Sequence, residues 1–213
     1  MSRRIPLFPL PGVVLLPGTM LPLHIFEPRY RAMVADALQG DRTIGMAMLK
    51  PGWEASDEDP RIYEVGGAGE IVESEELEDG RYNILLESRF RFRVVDESPP
   101  APYRVARVEE VRSVPFSDHA QQVRVLAAAT TLFGEVARDL ELPPLPSDDL
   151  SAERLASEIA LRLRYAPPEL QTLLETDSVE SRFETLVGRM LEWKGRMEFL
   201  APYRARDLDP RRN

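Results

Sequence analysis

Chemistry near neutral pH needs a nucleophile, a base or a cluster of metal ligands, and this chain of 213 residues offers few of them. It has no cysteine, which excludes thiolate nucleophiles, disulfides, thiolate zinc sites and iron–sulfur clusters. Its histidines are His24 and His119. His24 lies in an apolar, strand-like segment and reads as a hydrogen-bonded core or rim residue rather than a base. His119 falls in the first turn of a helix, where a polar residue is unremarkable. A Ser–Lys pair would have to recruit Lys50, in a loop, or Lys194, on the exposed side of the last helix, because no other lysine exists. No G-x-S-x-G, G-x-x-x-x-G-K-[ST] or H-E-x-x-H motif is present. The expectation is a protein without catalytic residues, cofactor-binding residues or metal ligands, and so not an enzyme.

Three stretches imitate ligand sites. Gly66-Gly67-Ala68-Gly69 could cradle phosphate only with a helix and a Lys-Ser/Thr after it. The chain instead continues as Ile71-Val72-Glu73, so glycines at a strand bend or bulge are expected. Residues 73–79 (ESEELED) lack the alternating ligand spacing of a calcium loop and end in Asp79-Gly80, a hairpin-turn signal. Arg89-Phe90-Arg91-Phe92-Arg93 could stack bases and pair phosphates. Strict alternation sends the rings and the guanidinium groups to opposite faces, so the rings are expected inward and the arginines outward, neutralised by nearby glutamates.

The overall charge agrees. A net charge of −9 is the wrong sign for a protein that grips phosphate backbones. No apolar run approaches the ~18 residues of a membrane span. Arg3-Arg4 before an apolar stretch imitates a signal peptide. Prolines interrupt that stretch, no small-residue cleavage site follows, and it continues into a helix. The expected location is cytoplasmic.

The elements that position these residues begin with 5–38. Prolines at 6, 9, 11, 17 and 22 bar a long helix and leave short extended segments at 5–8, 13–16 and 20–25. Pro28 then opens a helix whose apolar stripe is Tyr30, Met33, Val34, Ala37 and Leu38, with Gly40 expected as a left-handed cap. Glu27 is expected to pair with Arg31 one turn on. Strands are expected at 43–49, 65–73, 81–87, 89–94 and 103–111. Between the first two of these lies a polar loop, 50–60, containing Trp53. Near Ser113 the period changes from two to three or four. Helices are expected at about 118–140 (through Val123, Leu126, Ala127, Thr130, Phe133 and Ala137), 151–165, from Pro167, and 179–200. Asp177 or Ser178 is expected to cap the last of these, and Phe183, Leu186, Met190, Trp193, Met197 and Leu200 to form its seam.

Pro6-Leu7-Phe8-Pro9-Leu10, Val14-Leu15-Leu16-Pro17-Gly18 and Leu21-Pro22-Leu23-His24-Ile25-Phe26-Glu27-Pro28-Arg29-Tyr30 resemble the opening of the Lon protease N-terminal, substrate-binding domain. Gly80–Ile84, Arg89–Phe92, Leu173-Leu174-Glu175 and Ser178–Leu191 extend the resemblance over nearly the whole chain. The stand-alone bacterial members are the most similar. The resemblance implies an α+β fold: a PUA-like β pseudo-barrel of about six strands with one helix, then a C-terminal α-helical bundle. The expected division is 1–115, 116–203 and a charged tail, 204–213, that frays. It also implies a non-catalytic module that binds unfolded or exposed polypeptide, as an adaptor or chaperone-like protein beside a protease or chaperone. The sequence carries no Walker motif and no Ser–Lys protease segment. The zinc site of the related cereblon family needs cysteines that are absent here.

An RNA-binding PUA-like protein is the alternative. Glu27, Arg29 and Arg31, on the shoulder where strand turns into helix, and the loop residue Trp53 are the expected partner-binding residues. A monomer or weak dimer is expected.

Overall fold

The computed structural model describes residues 2–55, 61–98, 102–146 and 150–207. Its elements are β1 (Ser2–Leu10), β2 (Met20–Ile25), α1 (Pro28–Gln39), β3 (Thr43–Met48), β4 (Val65–Glu76), β5 (Tyr82–Ser98), β6 (Arg104–Val111), α2 (His119–Asp139), α3 (Ala152–Arg162), α4 (Pro167–Glu175) and α5 (Val179–Asp207). A 3₁₀ turn, Trp53–Ala55, stands between β3 and β4. Among the described residues the fold is thus mixed α/β, with six strands in one sheet and five α-helices.

The strand order is β2-β5-β4-β3-β1-β6, and β5 also pairs with β6. That last pairing closes five strands into a ring and leaves β2 outside it. β5 makes this possible by its length: β2 pairs with its first part, Tyr82 to Glu87, and β6 with its second, Arg91 to Ser98. β1 and β3 run parallel, which requires a crossover, and α1 lies within it. Pro22 sits mid-strand in β2, a position that proline tolerates on an edge strand. Residues 13–16 form no strand. Leu15 and Leu16 there serve packing instead, entering different cores.

Among the described residues three apolar clusters form the core. Ile5, Leu7, Ala68, Phe92, Ala106 and Val108 share one. α1 buries Tyr30, Met33, Val34 and Ala37 against Phe8, Ile25, Ile44, Ile71 and Leu86. Tyr103 adds a polar tie, its Oη donating to Asp36 Oδ2 at 2.7 Å, and burial followed by that bond pushes its phenol up to about 12. The third cluster joins Phe133, Leu155, Ile159, Leu174, Phe183, Leu186 and Met190 from the helices, and takes in Leu16 and Val65.

Several local expectations are corrected. Gly40 closes α1 with φ −104°, and the left-handed residue is Arg42 at φ 60°, whose N–H reaches back to Ala37 O at 3.0 Å. α2 buries Ala129, Phe133, Val136 and Ala137 and leaves Val123 exposed, so its inward face is rotated from the expected stripe. Of the two caps expected for α5, Asp177 or Ser178, it is Ser178 that accepts, from Ser181 N at 3.1 Å. α5 continues beyond 200 to Asp207. Residues 208–213 and the loop residues 56–60 lie outside the described residues.

Candidate functional site

The shoulder between β2 and α1 is built by the proline that starts the helix. With Pro28 at the first helical position, Glu27 stays extended and its carbonyl accepts from Tyr30 N at 3.0 Å and Arg31 N at 2.9 Å. Its carboxylate does not cap the helix; it accepts from Arg29 Nε at 3.0 Å. The expected Glu27–Arg31 pair is therefore replaced by Glu27–Arg29. Arg29 also lies over the Tyr30 ring, 4.5 Å from its centroid, and Tyr30 packs on Phe8 with ring centroids 4.4 Å apart.

Arg31 is half-buried rather than fully outward, because it lies against the turn at Gly80. A Cβ at Gly80 would meet Arg31 Nη2 at 2.1 Å, and Gly80 itself is at φ 75°. Arg31 and Gly80, with Pro28, Ala32, Glu76 and Tyr82, line a shallow groove of about 350 Å³.

On the strand side, Phe26 is 61% exposed and stacks on His24 with centroids 6.3 Å apart. Arg81 Nη1 lies 3.2 Å from His24 Nε2. Arginine can only donate, so Nε2 accepts and Nδ1–H donates to Asn83 Oδ1 at 2.7 Å. Asn83 in turn donates to Glu75 Oε2 at 2.9 Å. Both histidine nitrogens are committed to a polar row running from β2 through β5 to β4. Met20, at the other end of β2, is 55% exposed. The shoulder is thus exposed apolar side chains at the two ends of an edge strand, flanked by a self-paired Glu27–Arg29 couple.

Glu27, Arg29 and Arg31 share the start of α1. Trp53, 36% exposed on its 3₁₀ turn, has no hydrogen bond, ion pair or ring contact with them among the described residues. Of the two lysines, Lys194 Nζ is 2.5 Å from Glu135 Oε2, which raises the amine and lowers the carboxyl through their mutual hydrogen bond, and Lys50 lies over Tyr63. Among the described residues no three His, Asp or Glu side chains are placed to hold a metal ion, and no helix is long and apolar enough to cross a membrane.

The alternating arginines divide in a way the pattern did not anticipate. Arg89 pairs with Glu70 at 2.9 Å and Glu87 at 2.8 Å, and Arg93 lies 3.8 Å from Glu64. Arg91 is buried, against the expectation that it faces outward. It donates to Leu174 O at 2.7 Å, Asp177 Oδ1 at 3.0 Å and Ser113 Oγ at 3.3 Å. Arg182 joins it, donating to Ser113 Oγ at 3.0 Å and Thr176 O at 2.8 Å. Ser113 donates to Glu153. Burial, then the neighbouring Arg91 charge, lowers the Arg182 pKa. These groups tie the strand ring to the helices. Arg89 and Arg93 thus stay at the surface beside glutamates, while Arg91 is taken up by the helices.

The family model of the ATP-dependent protease La (LON) substrate-binding domain matches residues 4–192. Lon protease 2 of Myxococcus xanthus is 27% identical over 191 residues, which cover 86% of this chain and 23% of that protein. Lon protease of Escherichia coli K12 is 27% identical over 194 residues, covering 88% of this chain and 24% of that protein. The chain therefore spans about a quarter of the length of these relatives. Among solved structures, a Lon N-terminal domain protein from Xanthomonas campestris superposes with TM-score 0.64 at 23% identity, covering 87% of this chain and 98% of that one. The N-terminal domain of the Mycobacterium avium complex Lon protease gives TM-score 0.68 at 16% identity over 88% and 98%. At these identities the structural likeness is one of fold.

Proposed function

The chain belongs to the Lon substrate-binding domain family, and from that premise we propose that it is a non-catalytic module that binds unfolded or exposed polypeptide segments. The observation that carries the reading is the family match over residues 4–192. The exposed apolar side chains Met20 and Phe26 on the β2–α1 shoulder supply a surface for it, with Glu27, Arg29, Arg31 and Trp53 as the flanking contacts. In this reading the ring is a PUA-like barrel, the C-terminal helices are a bundle fixed to it, and the two parts divide at 115. The module works in the cytoplasm as an adaptor or chaperone-like partner of a protease or chaperone.

Unfolded casein titrated into the fluorescently labelled chain is expected to bind, and a folded protein of similar size is expected not to. Trp53→Ala and Phe26→Ala are each expected to weaken casein by about fivefold or more, the effect of roughly 1 kcal/mol that marks a contributing interface residue. Failure to bind any unfolded chain overturns the reading.

A further inference from the structure

The outer edge of β2 carries a specific row of unpaired backbone groups. Thr19 O accepts from Ser88 N at 2.9 Å, which makes that pair a hydrogen-bonded one. The register continues as Met20 opposite Glu87, Leu21 opposite Leu86, Pro22 opposite Leu85, Leu23 opposite Ile84 and His24 opposite Asn83. Hydrogen-bonded and non-bonded pairs alternate along an antiparallel ladder. Leu21, Leu23 and Ile25 therefore turn their N–H and C=O toward β5, and Met20, Pro22 and His24 turn theirs outward. Pro22 agrees independently, since its missing N–H falls on the side where no ladder bond is due. The outward groups are thus the N–H and C=O of Met20, the C=O of Pro22, and the N–H and C=O of His24. Among the described residues none of them has a backbone partner, because β2 pairs with β5 alone.

The side chains of the same three residues are exposed, and Leu21, Leu23 and Ile25 face the core. Met20 and Pro22, with Phe26 just beyond the strand, present apolar surface beside the open edge. Methionine adapts its shape to varied partners. An edge of this kind is a template for another strand, and natural proteins usually cover or charge it.

Resting on the polypeptide-binding reading above, we propose that β2 is a strand-addition site: an extended segment of the bound polypeptide pairs with Met20, Pro22 and His24 and lays alternate apolar residues against Met20, Pro22 and Phe26. The row of partial charges, donor and acceptor at each end and an acceptor in the middle, is complementary to another backbone in extended form. It is less complementary to a second copy of this chain. Two β2 strands paired antiparallel about Pro22 would leave their Pro22 carbonyls facing each other with no donor between them, whereas a segment lacking proline at that point donates to Pro22 O. The site reads backbone and alternation rather than sequence, which suits a binder of unfolded chains.

The test uses the full chain and a synthetic peptide of alternating valine and threonine with lysines at its ends, beside the same peptide N-methylated at every residue. Binding of the unmethylated peptide is expected to slow amide exchange at Met20 and His24 by about tenfold or more, with Leu21 and Leu23 unchanged. Full N-methylation is expected to weaken binding at least about twentyfold, since several backbone bonds are lost at about fivefold each. Met20→Pro, which removes one outward donor, is expected to weaken the peptide about fivefold, and Met20→Leu, which keeps that donor and an apolar side chain, to weaken it less. Equal binding of both peptides, or unchanged exchange at Met20 and His24, overturns strand addition. If casein still binds in that case, the polypeptide-binding reading survives; if casein and both peptides all fail, both fall. Protection of Met20 and His24 that rises with protein concentration in the absence of peptide identifies a second copy as the occupant, and also overturns the proposal.

Discussion

Gly67→Ala is expected to destabilise the protein by about 3 kcal/mol or more, the upper range for overpacking a filled interior. A Cβ at Gly67 would lie 2.1 Å from the carbonyl oxygen of Leu15 and 3.0 Å from its Cβ. The obstacle is backbone, and it belongs to the connector that seats Leu15 and Leu16 in two different cores. Moving it would disturb both. Gly66 is no freer, since a Cβ there would meet Met46 O and the Phe92 ring at 2.4 Å. Gly67 therefore lets the connector at Leu15 pass β4 at backbone distance, and Gly66 makes room for the Phe92 ring and the β3 backbone. Gly134→Ala is the control: a Cβ there meets nothing within 4 Å, and the helix should gain about 0.5–1 kcal/mol. Urea unfolding of the two variants beside the parent is the measurement, and equal small effects would contradict this account of β4.

Arg91→Leu is expected to cost about 3 kcal/mol, within the range for removing one member of a buried, hydrogen-bonded charge network. The leucine would leave the carbonyl of Leu174 without its 2.7 Å donor and Asp177 without its cation. Arg182 would then share Ser113 with no second guanidinium. Asp177 is half-exposed, so part of its loss is recovered by water, which keeps the figure below the extreme for a fully buried pair. Arg93→Leu, on the same strand but half-exposed, should change stability by no more than about 0.5 kcal/mol. Because Arg91 joins strand to helix, its loss should also separate the unfolding of the two parts. A single unchanged transition for Arg91→Leu would show that the network contributes little.

These arginines show where legibility in the sequence ended. Alternation correctly placed Arg91 on the face opposite Phe92. What it could not show is that this face is covered, by a helix junction 86 residues further along the chain. Period two reports which side a residue takes and says nothing of what lies there. α1 was legible because its evidence is local: a proline at the first helical position and one apolar stripe. The pairing of Glu27 was not, since the turn at Gly80, distant in sequence, draws Arg31 away. Residues 13–16 have the composition of a strand but find no partner in the sheet, and pairing, not composition, makes a strand. Pro22 in mid-strand suits an edge, but Pro6 and Pro9 lie in β1, which is paired on both sides, so proline alone did not mark it. That the edge stays open required the strand order, and the register supplied its hydrogen-bonding phase.

If the shoulder at β2 and α1 receives unfolded polypeptide, the backbone chemical shifts of the full chain should report it as unfolded casein is added to saturation. The expected result is a set of shifts concentrated between Met20 and Arg31, with the Trp53 indole moving and the buried face of α5 still. Binding that shifts only α2 to α5, or an unaltered spectrum at saturating casein, would contradict it.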